Sequence, residues 1–115
     1  MATGTISDFQ SLYASRLHTR SSLDLRARVV TMPTQGNPLI VYGRTRNLSR
    51  SGVAVTLTGE LPAGSEVLFC LRMPASGEAL CLRSVVARRH GSLAGLHFLE
   101  PTLGQRRQIS MLCDS

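Results

Sequence analysis

Two short stretches of this 115-residue chain hold the side chains best suited to chemistry. The first is Asn47-Leu48-Ser49-Arg50-Ser51-Gly52. Asn47 brings an amide that both donates and accepts, Ser49 a hydroxyl, and Gly52 a backbone that tolerates a positive φ or a ligand's close approach. Such a stretch also describes an ordinary turn whose side chains satisfy their own backbone. The second is Arg16-Leu17-His18-Thr19-Arg20. Two arginines four apart share one side of a helix or an extended segment, so both can grip a single anion. Their planar forks fit phosphate oxygens and the O6/N7 edge of guanine. Chance supplies about one such pair in a chain this rich in arginine, and Arg46/Arg50 is another.

Residues for a reaction are thinly supplied. His18, His90 and His97 have no metal-ligand spacing with one another or with the cysteines. The carboxylates are scattered, and no phosphate loop, nucleophile elbow or triad order occurs. No catalytic residue and no metal ligand is expected. His97 lies among apolar residues and reads as a strand or core histidine. Cys70, Cys81 and Cys113 cannot all pair within one chain, and their spacings fit neither a metal knuckle nor a Cys-x-x-Cys motif. The expectation is reduced, partly buried thiols, with a redox role as the weaker reading.

All 13 basic residues are arginine, against 7 acidic ones, for a net charge of +6. That surplus points to an anionic partner: a nucleic acid, a nucleotide or an acidic protein surface. A compositional bias that scatters solvated arginines is the plain alternative. With 4% aromatic residues and no tryptophan, a base-stacking platform for single strands is poorly supplied. Hydrophobic residues make up 43% of the chain, enough for one packed domain and too many for a disordered regulator. No apolar run reaches the roughly 18 residues of a membrane span, and no signal segment opens the chain, so a cytoplasmic protein is expected.

The elements that must position these residues read mostly as strands. Ser7-Asp8-Phe9-Gln10 has capping-box form, and Phe9, Leu12, Tyr13 and Leu17 recur at helical spacing. A short helix to about His18 is one reading of that segment; a flexible lead-in over residues 1–14 is the other. From Leu23 the period becomes two. Strands are predicted from Leu23 to Val29, Leu39 to about Arg46, Gly52 to Leu57, Glu66 to Met73, Leu80 to Arg89 and Leu93 to Leu99. Turns fall at Pro33–Pro38, Gly59–Gly64, Pro74–Gly77 and His90–Ser92. Thr102-Leu103-Gly104-Gln105 is a second capping box, and Ile109, Leu112 and Cys113 give a short C-terminal helix its apolar stripe. Six short strands at hairpin spacing argue for an antiparallel barrel or sandwich.

Taken together, the arginine pair, the first strand and the Asn-x-Ser-x-x-Gly turn between strands two and three resemble the PilZ domain family. The stretch RLHTRSSLDLRARV is similar to that family's Arg-x-x-x-Arg lead-in, and Gly95-Leu96-His97-Phe98 to its closing strand. The resemblance covers about residues 15 to 113. It implies a six-stranded antiparallel β-barrel over residues 15–115 and a non-catalytic receptor for cyclic di-GMP. Arg16 and Arg20 would hold phosphate and guanine, and Asn47 and Ser49 would hydrogen-bond the ligand. Gly52 would keep a side chain out of its way, and Ser15 and Arg50 would be further contacts. Many relatives carry arginine where Ser15 stands, aspartate at Asn47 and proline at Thr19. Held between lead-in and barrel, the dinucleotide would reshape the surface shown to a downstream protein. The alternative is a PilZ-like adaptor that binds protein without the nucleotide.

Overall fold

The computed structural model describes residues 21–31 and 36–113. Seven strands and one helix follow in order: β1 (Ser21–Ser22), β2 (Arg26–Thr31), β3 (Ile40–Leu48), β4 (Gly52–Leu57), β5 (Glu66–Arg72), β6 (Ala79–His90), β7 (Leu93–Phe98) and α1 (Leu103–Cys113). The N-terminal helix expected over residues 7–18 lies outside the described residues.

All strand pairings are antiparallel, in the order β1-β3-β2-β5-β6-β7-β4, and a further β3–β4 pairing joins the ends. Six strands, β2 to β7, therefore close into a barrel, which leaves none of them an open edge. Period-two alternation sorts the faces: Ala27 and Val29 of β2, Val67, Phe69 and Leu71 of β5, and Leu80 and Leu82 of β6 point into one core. The Phe69 and Phe98 rings stack there, 6.3 Å apart. Gly43 is glycine because β4 leaves no room: a Cβ there would collide with the Thr56 carbonyl oxygen.

Two devices close the barrel ends. At one, α1 begins with the expected capping box: Thr102 N–H donates to Gln105 Oε1 (2.8 Å) and Gln105 N–H to Thr102 Oγ1 (3.1 Å). Gln105 Nε2 also donates to the Cys81 carbonyl, which fixes the helix against β6 while Ile109, Leu112 and Cys113 bury their side chains. At the other end Leu61 plugs the core at 1% exposure, and Arg89 holds the loop by donating to the carbonyls of Gly59 and Leu61.

The expectation of reduced thiols at Cys70 and Cys81 is overturned. The two are direct cross-strand partners in the β5–β6 ladder, with Cα atoms 4.2 Å apart, and a disulfide joins them on the outer face. Cys113 keeps its thiol, which donates to the Leu48 carbonyl. In denaturant without reductant the protein will titrate one thiol, and three after reduction. Reduction should lower unfolding stability by about 2–3 kcal/mol. Three reactive thiols in the unreduced protein would rule the bridge out.

Candidate functional site

The Asn47–Gly52 stretch forms the turn between β3 and β4. Ser49 is 1% exposed, and its Oγ accepts from the N–H groups of Ser51 and Gly52 while lying 3.3 Å from the Gly52 carbonyl. Its own N–H donates to that carbonyl at 2.9 Å. The hydroxyl thus serves the turn's backbone, as such turns commonly require. Gly52 has no left-handed backbone; positive φ among the described glycines belongs to Gly36, Gly64, Gly77 and Gly91. Arg50 is exposed and donates to Ser110 Oγ of α1 (3.3 Å).

Asn47 reaches the outer face through a register shift. Thr45 and Val55 pair with both side chains inside, so simple alternation would aim Asn47 inward as well. The ladder instead skips Arg46 and pairs Asn47 with Ala54, which returns Leu48 to the core and turns Asn47 outward. Bulges commonly re-aim a side chain in this way. Thr45 fixes the bulge by accepting from Leu25 N–H (2.9 Å) and donating to the Leu23 carbonyl (2.8 Å). The half-buried Asn47 amide has no side-chain hydrogen bond with the described residues.

A second bulge does the same on the far side. Val86 pairs with Leu96 in the core, the ladder skips Ala87, and Arg88 pairs with Gly95 on the outside. The pairings Asn47↔Ala54, Ala54↔Gly95 and Gly95↔Arg88 make one continuous row across β3, β4, β7 and β6. Its ends carry an amide and a guanidinium without hydrogen bonds or ion pairs to described residues; its middle carries only Ala54 and Gly95. Arg88 was not among the residues that sequence reasoning selected. Its signal is the bulge, which is visible only once both ladders are known.

Beside this row Gly52 pairs with His97, which is an exposed strand histidine, the first of the two readings its neighbours allowed. His97 rims a cleft of about 430 Å³ between the turn, β7 and α1, where Arg50, Ser51, Arg106 and Ser110 also meet. Arg16, Arg20 and Ser15 lie outside the described residues. Their attachment does not: Ser21 pairs with Leu48 and Ser22 with Asn47. Among the described residues no group of three His, Cys, Asp or Glu could hold a metal ion, and no helix is long and apolar enough to cross a membrane.

No curated protein matches the chain. Among solved structures it is similar to the PilZ domain of CeSA from a cellulose-synthesizing bacterium, at 23% identity and a TM-score of 0.65, over 83% of this chain and 94% of that one. It is also similar to the Bacillus subtilis inhibitor of motility MotI/DgrA, at 19% identity and a TM-score of 0.64, over 84% of this chain but 47% of that one. Both likenesses bear on the fold, the six-stranded barrel with its C-terminal helix. The sequence profile of the PilZ domain matches residues 14–115, and the chain belongs to that family.

Proposed function

We propose that this chain is a non-catalytic receptor for cyclic di-GMP that acts on a downstream protein. One observation carries the reading: β1, which follows Arg20 directly in sequence, pairs with β3 at Asn47, whose amide has no side-chain hydrogen bond with the described residues. PilZ domains are typically cyclic di-GMP receptors, and both arginines and the Asn-x-Ser-x-x-Gly turn stand here in their order.

In this reading Arg16 and Arg20 grip phosphate and the O6/N7 edge of guanine from the lead-in. Asn47 hydrogen-bonds the ligand from the barrel, and Arg88 adds a third cation from the other end of the row. Ala54 and Gly95, between Asn47 and Arg88 in the row, and Gly52 beside it add no bulky side chain of their own. Ser49 acts by shaping the turn, and Arg50 couples that turn to α1 through Ser110. A ligand held by lead-in and barrel together fixes one against the other, and so changes the surface offered to a partner. In the reducing cytoplasm the Cys70–Cys81 bridge would open, leaving the β5–β6 ladder to hold those strands.

Calorimetric titration of the wild-type chain with cyclic di-GMP should show saturable binding at tens of micromolar ligand or below. Arg20→Ala should weaken it at least about tenfold, the loss expected of one charge-assisted contact. A flat wild-type titration, from protein whose circular dichroism reports a folded barrel, would favour the nucleotide-independent adaptor. Unchanged affinity in Arg20→Ala would remove the lead-in from the site.

A further inference from the structure

The side of the barrel away from the Asn47–Gly52 turn carries a second basic surface. On the outer faces of β2, β3 and β5, Tyr42 pairs with Arg28 and Arg28 with Cys70. One row along, Arg26 stands directly opposite Arg44. Arg26, Arg28, Tyr42 and Cys70 line a groove of about 590 Å³ that also takes in Arg72 and Ala79.

Three observations set this groove apart from scattered surface charge. Arg44 is neutralised, because its Nε donates to Asp24 Oδ1 at 2.6 Å, and that hydrogen bond lowers the Asp24 pKa. Arg26 and Arg28 have no such relief: both are exposed, and neither makes an ion pair or side-chain hydrogen bond with the described residues. Finally, the groove is bordered by apolar surface, with Tyr42 at 58% and Ile40 at 48% exposure on the same face of β3. Tyrosine and arginine side by side are the composition of interface hot spots.

We propose that this groove docks an extended, acidic segment of a partner protein. Arg26 and Arg28 are alternate residues on one strand face, so their Cα atoms are separated by about 7 Å. Carboxylates on alternate residues of an extended chain repeat at the same interval, which matches one anion to each guanidinium. Tyr42, directly opposite Arg28, offers its ring to the methylene stem of the carboxylate that Arg28 holds. The barrel has no free edge to lend its backbone, so recognition rests on these side chains.

The test uses the whole chain and a fluorescein-labelled heptapeptide, Glu-Ser-Glu-Leu-Glu-Ser-Glu, read by anisotropy at physiological ionic strength without any nucleotide. Saturable binding is expected. Arg28→Glu should weaken it at least tenfold and Tyr42→Ala severalfold, while Arg107→Glu, the same charge change on α1, should leave it within twofold. Arg26→Gln/Arg28→Gln, a milder change, should also lose at least tenfold and keep the wild-type circular dichroism. No saturation, or an equal loss in Arg107→Glu, overturns the proposal. So does a single-stranded oligodeoxynucleotide of equal charge that binds as tightly and is lost with the same variants. Because no nucleotide is present, the result is independent of the cyclic di-GMP reading.

Discussion

Phe69→Ala is expected to remove about 3–5 kcal/mol of unfolding free energy, the usual cost of deleting a buried aromatic ring. Phe69 is 0% exposed and sits mid-strand in β5, which pairs with β2 on one side and β6 on the other. Its ring lies against Phe98 of β7, so the hole would open between strands on different sides of the barrel. The ladders on either side of β5 would resist collapse into that space, which favours the upper part of the range. Domains of this size have about 5–15 kcal/mol to lose in total. The thermal midpoint should therefore fall by roughly 15–30 °C. Tyr42→Ala, at an exposed site in the same barrel, should stay within about 0.5 kcal/mol. Urea or thermal unfolding reads both, and a Phe69→Ala cost below about 1.5 kcal/mol would mean the core repacks far more freely than a closed barrel should.

The same pair of rings shows what the amino-acid sequence disclosed and what it withheld. Alternation is a local signal, so β4 was legible at its true bounds, and β5, β6 and β7 to within a residue at each end. The capping box at Thr102 and Gln105 is local too, and it forms as expected. Closure is not local. It depends on β4 pairing with both β3 and β7, and no short-range pattern states that register. The Cys70–Cys81 bridge was missed for this reason, since nothing fixes the two as opposite partners until the hairpin register is known. The two-residue strand β1 was missed because Ser21–Ser22 has no apolar alternation; it exists through its pairing with β3.

Within the candidate site, residue types were legible and roles only partly so. The spacing of Asn47, Ser49 and Gly52 marked the turn, but burial divides them: Ser49 faces inward and serves the backbone, while Asn47 faces out. His97 is the strand histidine of the two readings its neighbours allowed, in β7 and not in the core. Leu96 and Phe98 point inward, so alternation alone puts His97 outside. At Arg88 alternation misleads, since counting from Val86 would have placed it in the core. Both bulged positions defeat a simple period-two reading, and both aim a polar side chain at the same row.

That shared row carries the last prediction. Asn47→Ala and Arg88→Ala should each weaken cyclic di-GMP binding, Arg88→Ala by about 10- to 100-fold if its guanidinium meets a phosphate or a guanine edge. Neighbouring strands run about 4.8 Å apart, so three inter-strand steps separate the two backbones by about 14 Å along the sheet. No direct contact spans that distance, and any coupling between the two side chains must pass through the ligand. Three substitutions separate the ways Arg88 could act. Arg88→Lys keeps the charge but not the fork, so an intermediate loss assigns part of the effect to bidentate geometry. Arg88→Ala should flatten the salt dependence of binding, whereas Asn47→Ala, which removes no charge, should leave it as steep as in the wild type. The double variant, compared with the two singles, measures how far one ligand engages both ends of the row. Both side chains lie on the outer face, so unfolding stability should change by less than about 0.5 kcal/mol in either variant. Wild-type affinity in Arg88→Ala would confine the site to the lead-in and the Asn47–Gly52 turn.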